Sequence, residues 1–153
     1  MGRLADKQRK RGIGQEMTDI TNMITPEEYT GLRKAVGFRE IPVEEAAEGL
    51  KHSYVVCIRD HEKAVAVGRI LWDHGYAALL TDVIVDPEYQ GRGLGRQIVE
   101  TCIEYVKEQL KPGYSIMISL LAANGKEGFY KKMGFVERPN ETFGPGLHKW
   151  LEK

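Results

Sequence analysis

From Thr25 onward, polar and apolar positions follow helical spacing. Thr25 is a capping residue type, Pro26 suits a first helical position, and Glu28 stands three residues after Thr25, as in a capping box. This predicts one helix to about Val36, ended near Gly37, and a second over Val43 to Leu50, closed by Gly49 or by Lys51 and His52. Tyr54 to Ile58 and Ala64 to Leu71 are then rich in β-branched residues and flank Asp60-His61-Glu62-Lys63, the pattern of an antiparallel hairpin. Tyr76 to Val85 is almost continuously apolar, which predicts a strand buried on both faces.

The turn Asp86-Pro87-Glu88-Tyr89 leads into Gln90-Gly91-Arg92-Gly93-Leu94-Gly95. Leu94, Ile98, Cys102, Val106 and Leu110 recur every four residues, so a helix of about four turns begins inside the glycine loop. Pro112-Gly113 ends it, and Ser115 to Leu121 reads as a further buried strand, completing a βαβ unit. A short helix over Lys126 to Met133 precedes Gly134. A last strand or hairpin runs from Phe135 to Trp150, interrupted by Pro139 and Gly144-Pro145-Gly146.

With 153 residues and 42% hydrophobic positions, the chain is long enough for one domain with its own core. Residues 1–16 stand apart: Arg3, Lys7, Arg9, Lys10 and Arg11 lie among glycines with almost nothing apolar, the composition of a flexible basic leader before a domain over 17–153. A basic tail that touches nucleic acid or lipid is the competing reading of that segment. Lys plus Arg and Asp plus Glu are both 22, so no net field steers the molecule toward nucleic acid or an anionic membrane, and neither is expected as a partner. Cys57 and Cys102 sit inside apolar runs, as small buried hydrophobes do. No apolar stretch approaches the ~18–20 residues of a membrane span, and the N-terminus lacks the apolar centre of a signal peptide, so the expected setting is cytoplasmic.

The glycine loop is the first chemical signal. Amides at a helix N-terminus, with the helix dipole behind them, attract phosphate, and glycine lets the backbone come close. The P-loop pattern is missing its Lys-Ser/Thr, and Gly91-Arg92-Gly93-Leu94-Gly95 has the wrong spacing for a dinucleotide fold and follows two helices and a hairpin.

Val83-Ile84-Val85-Asp86-Pro87-Glu88-Tyr89-Gln90-Gly91-Arg92-Gly93-Leu94-Gly95 resembles the acetyl-CoA signature Gln/Arg-x-x-Gly-x-Gly/Ala of the GCN5-related N-acetyltransferases. Asn124 to Phe135, with Phe129-Tyr130 and Gly134-Phe135, is similar to the second motif of that family. The resemblance spans about Thr18 to Lys153. It implies an α/β (α+β) three-layer fold, with a mixed, twisted sheet of about six to seven strands, splayed centrally and flanked by about four helices. It also implies acetyl-CoA as cosubstrate, a primary amine as acceptor with a small molecule favoured, and it allows a homodimer. Carried over by position, amides from Gly91 through Arg92, Gly93, Leu94, Gly95 and Arg96 would hold the pyrophosphate, with Gln90 opening the motif. In the cofactor-binding run Val83, Ile84 and Val85, backbone groups of Val83 and Val85 would pair with the pantetheine arm like an added strand, and the amide near Val85 would polarise the thioester carbonyl. Asn124 would hold the pantetheine and Tyr130 would face the sulfur.

Those residue types suit the reaction. An alkylammonium with pKa ~10.4 must lose its proton before it attacks, so a base or water wire is needed. The oxyanion needs a donor such as a backbone amide, and the departing thiolate needs a proton or a strong hydrogen bond, which a tyrosine still protonated at neutral pH supplies. Asp82 is the best-placed carboxylate for the base, because it interrupts an apolar strand just before the signature, where a charge is either paired or useful. Pairing with a neighbour is an equal alternative. Arg92 and Arg96 are placed to reach phosphates. His52, His61, His74 and His148 fall at loops or strand edges, no grouping has metal-ligand spacing, and no nucleophile elbow is present. A peptide acceptor and a non-catalytic acyl-CoA sensor are the competing classes.

Overall fold

A computed structural model describes residues 18–153; the leader expected over 1–16 lies outside the described residues. The Thr25 hydroxyl accepts the Glu28 amide at 3.1 Å while Glu28 accepts the Thr25 amide at 3.0 Å, so both halves of the capping box form. Helix α1 (Pro26–Ala35) starts there and stops before Gly37, whose φ of 77° ends the helical path. Helix α2 (Val43–Lys51) follows and is closed by His52.

Five strands stand in chain order across one sheet: β1 (Thr18–Thr21), β2 (Tyr54–Asp60), β3 (Lys63–Trp72), β4 (Ala77–Val85) and β5 (Met117–Ser119). The first four are antiparallel and β5 lies parallel to β4. Helix α3 (Leu94–Gln109) makes the crossover between those two, and α4 (Glu127–Lys131) comes after β5. This is the mixed, helix-flanked sheet expected.

Side chains alternate across a strand, so one sheet serves two cores. Val56 and Ile58 point to one face, where Ile70 and Leu80 join Ile98, Val99, Cys102 and Val106 of α3. Val55 and Cys57 point to the other, where Val67 and Ile84 meet Tyr29 and Leu32 of α1 and Ala46 of α2. Leu94, Ile98, Cys102 and Val106 of the four-residue repeat thus lie on the buried stripe of α3, each aliphatic side chain adding ~1.5–3 kcal/mol on burial, while Leu110 falls at the helix end and is half-buried.

The structure departs from the sequence expectation toward the C-terminus. The sheet has five strands among the described residues, not six to seven, and Phe135 to Trp150 forms no regular strand. There the Asn140 side chain accepts the Thr142 and Phe143 amides, both at 2.9 Å, so turn contacts take the donors a ladder would use. Ser115 to Leu121 pairs only over β5, and Met117 and Leu121 face outward. β4 is likewise covered on one face only near Leu79, which is exposed. β1 was invisible as a strand because Ile20 is the one apolar residue in its four.

Candidate active site

β4 pairs with β5 only through Ala77, Ala78 and Leu79. From Leu80 to Val85 its β5-side edge has no strand partner among the described residues, while its other edge stays with β3. Val83, Ile84 and Val85 lie at the end of that open edge, with Ile84 turned into the core beneath α1 and α2.

The chain leaves β4 through a pinned turn. The Asp86 amide donates to the Val65 carbonyl at 2.8 Å, the Asp86 carboxylate accepts the Glu88 amide at 2.9 Å, and Lys63 Nζ sits 3.1 Å from the same carboxylate. The Glu88 amide, then Lys63, hold Asp86 below the usual carboxylate range. Tyr89 donates to Asp60 at 2.6 Å, tying a short 3₁₀ turn (Pro87–Tyr89) to the β2–β3 hairpin. Gln90 Nε2 then donates back to the Val85 carbonyl at 3.1 Å and closes the loop on the strand end.

The three glycines that follow meet different needs. Gly91 and Gly93 have φ of 79° and 80°, a left-handed backbone that other residues adopt at a cost, and a Cβ at either would meet nothing within 4 Å. Gly95 is a packing glycine: a Cβ there would stand 3.3 Å from Phe129 Cζ and 3.6 Å from Val85 Cγ2. Gly93 is the cap residue of α3 and no side chain caps it. The first turn carries no acidic residue, and the Gln97 amide donates back to the Gly93 carbonyl at 3.1 Å, so the amides of Leu94, Gly95 and Arg96 precede the intrahelical ladder. Leu94 itself is buried. Arg92 lies over the Tyr89 ring, 4.8 Å from its centroid, and donates to the Glu88 carbonyl at 3.2 Å. Arg96 pairs with Glu100 at 2.7 Å along the exposed face of α3.

Phe129, seated on Gly95, brings α4 to the mouth of this loop. The next residue, Tyr130, meets the rings of Phe129 and Phe135 edge-on at 4.9 and 5.9 Å. Its hydroxyl has no hydrogen-bond partner among the described residues and is not sealed from solvent. Burial of the ring raises the phenol above its ordinary pKa, so it keeps its proton at neutral pH. Asn124 lies exposed in the turn before Gly125 and does not cap α4, whose cap residue is Lys126.

Asp82 lies in a charged cluster between β3, β4 and α1. Its carboxylate accepts the Tyr29 hydroxyl, Arg33 Nη1 at 2.6 Å and Arg69 Nε at 2.9 Å. Asp82 stands out in the sequence, and its partners do not. Arg69 carried a usable signal, because it interrupts its own apolar strand as Asp82 does, and two opposite charges in neighbouring strands invite pairing. Nothing in the periodicity of α1 marks Tyr29 and Arg33 as their companions. His52, His61, His74 and His148 are all exposed.

The chain belongs to the GNAT acetyltransferase family: the model of the acetyltransferase (GNAT) domain matches residues 51–137, more than half of the 153. It is 32% identical over 119 residues to serotonin N-acetyltransferase 2, chloroplastic, of Oryza sativa subsp. japonica, covering 74% of this chain and 58% of that protein. It is 31% identical over 121 residues to histone acetyltransferase TAP1 of Glycine max, covering 71% of this chain and 51% of that protein. A crystal structure of a probable acetyltransferase from meticillin-resistant Staphylococcus aureus superposes with a TM-score of 0.78 at 28% identity, over 88% of this chain and 100% of that one. The chain is an N-acetyltransferase by that membership. Among the described residues no helix is long and apolar enough to cross a membrane.

Proposed function

We propose that the chain moves the acetyl group of acetyl-CoA to a primary amine by direct attack within a ternary complex. One observation carries this reading: the open edge of β4 runs straight into a loop of left-handed glycines and uncapped α3 amides. The residues present fit the cosubstrate. An extended pantetheine arm matches a bare strand edge at Val83 to Val85, and a pyrophosphate matches free amides at Leu94, Gly95 and Arg96 beside open space at Gly91 and Gly93. Acetyl-CoA supplies an activated acyl carbon, and the chain supplies binding, orientation and hydrogen bonds.

Tyr130 serves the departing sulfur. Its phenol is pushed up by burial, which makes it a weaker acid and favours donation of a hydrogen bond to the thiolate over complete proton transfer. Arg92 and Arg96 would leave their present partners to reach phosphate oxygens, and Asn124, exposed in its turn, would hold the pantetheine. The amine would lose its proton through water or a base.

A small-molecule amine is the favoured acceptor, in line with the serotonin in the name of the rice relative. A protein or peptide acceptor is the second reading, because the soybean relative is named for histone. A cytoplasmic setting fits two free, buried cysteines, although the rice relative is named as chloroplastic. The test is Tyr130→Phe, assayed by thiol release over a panel of small amines and lysine peptides. Turnover should fall at least tenfold with acetyl-CoA affinity nearly intact, whereas unchanged turnover would remove Tyr130 from the chemistry.

A further inference from the structure

Between β3 and β4 the pairing slips. Arg69 stands opposite Thr81 and Val67 opposite Ile84, so Gly68 alone faces two residues, Asp82 and Val83. Asp82 takes the strain of this bulge with φ of 52°. Aspartate tolerates a left-handed backbone better than β-branched residues do, yet within a strand it needs outside support.

That support is the charged cluster. The Asp82 side chain is only 9% exposed, and both of its oxygens are engaged: Arg33 holds Oδ1, while Tyr29 and Arg69 hold Oδ2. Two of the donors also bind elsewhere. Arg33 Nη2 donates to the Arg39 carbonyl at 2.8 Å, and Arg69 Nη1 to the Gly49 carbonyl at 3.3 Å. The bulge is therefore anchored at once to α1, to the α1–α2 connection and to α2. Val83, the second bulge residue, opens the Val83 to Val85 edge that would hold the pantetheine arm, whose end carries the acetyl thioester.

We propose that Asp82 is a positioning residue whose carboxylate, clamped by Tyr29, Arg33 and Arg69, fixes the bulge that aims the Val83–Val85 edge at the acetyl thioester. The proposal rests on the acetyl-CoA reading above. A base must offer a lone pair to the amine, and three of the roughly four acceptor positions of the Asp82 carboxylate already hold donors, on a side chain only 9% exposed. A proton taken from substrate would also remove the negative charge that pairs with Arg33 and Arg69 in a nearly closed site.

The test needs no acceptor. Calorimetry gives the affinity of the full chain and of Asp82→Asn, Arg69→Lys and Tyr29→Phe for acetyl-CoA. Infrared spectroscopy of bound acetyl-CoA, labelled with carbon-13 at the acetyl carbonyl, reports how strongly the backbone polarises it. Tyr29→Phe keeps the packed ring and loses one donor, so it remains informative if Asp82→Asn does not fold. Positioning predicts that Asp82→Asn weakens acetyl-CoA binding about three- to tenfold, that Tyr29→Phe weakens it about twofold, and that both shrink the carbonyl red shift seen in the wild type. Wild-type affinity and band in folded variants would overturn the proposal and return Asp82 to the base role, leaving the transferase reading intact. Failure of the wild-type chain to bind acetyl-CoA would overturn both.

Discussion

Gly68 of β3 and Ile98 of α3 touch so closely that a methyl group on Gly68 would stand 2.3 Å from Ile98 Cγ2. Ile98 is fully buried and its β-branched side chain has little rotamer freedom, so neither partner has room to yield. The bare backbone at Gly68 brings α3 down onto the sheet at the point where β4 bulges. Gly68→Ala should cost ~1–3 kcal/mol of unfolding free energy in a denaturant titration, and Ile98→Ala added to it should recover part of the overlap cost. Additive losses would show that the contact is looser than its geometry.

The glycines of the loop should separate binding from stability. Gly93→Ala meets open space and loses only about 1 kcal/mol to its left-handed backbone, yet it places a methyl where a phosphate would approach. Acetyl-CoA affinity should fall by tenfold or more with a small change in unfolding midpoint. Gly95→Ala presses on Phe129 and should displace α4, so turnover falls through Tyr130. Equal effects of the two on binding would contradict the division of labour.

Glu28 gives a pH signature. Hydrogen bonds from Arg59, foremost among its contacts, lower its carboxyl from an ordinary 4.5 to about 2. A lowered folded-state pKa means stability fully present above about 4.5 and lost as pH falls toward 2. Glu28→Gln keeps a capping-box acceptor but removes the charge. Its unfolding free energy should lie ~0.5–1 kcal/mol below wild type at pH 7, the partly exposed pair being screened, and the gap should close as pH drops through that window. A gap independent of pH would show that the ion pair contributes nothing.

Burial raises Cys57 to about 11 and Cys102 to about 12. Thiolate is the reactive form, so at pH 8 the folded protein should resist a thiol-labelling reagent, and both cysteines should react once guanidinium unfolds it. Rapid labelling of the native chain would mean that a core layer opens readily.

Legibility in the sequence followed how local each signal was. The capping box, the four-residue stripe of α3 and the hairpin are set by neighbours within a few positions, and each appears where the pattern put it. The glycine motif located the loop because α3 starts within it. Long-range features did not show. The clamp on Asp82 joins residues 13, 49 and 53 positions away, and strand periodicity does not encode such pairings. The tail after Phe135 reads as a strand by composition, but a strand needs a partner edge, and the turn at Asn140 takes its amides first.

The central claim is that the β4 edge and the glycine loop bind acetyl-CoA, and thermal unfolding with and without that ligand tests it most directly, with ATP and NAD as controls. Acetyl-CoA at a hundred times its dissociation constant adds ~2.7 kcal/mol, roughly 5–10 °C for a chain of this size. The account predicts that shift with acetyl-CoA and none with ATP or NAD. No shift at saturating acetyl-CoA, or an equal shift with all three, would contradict it.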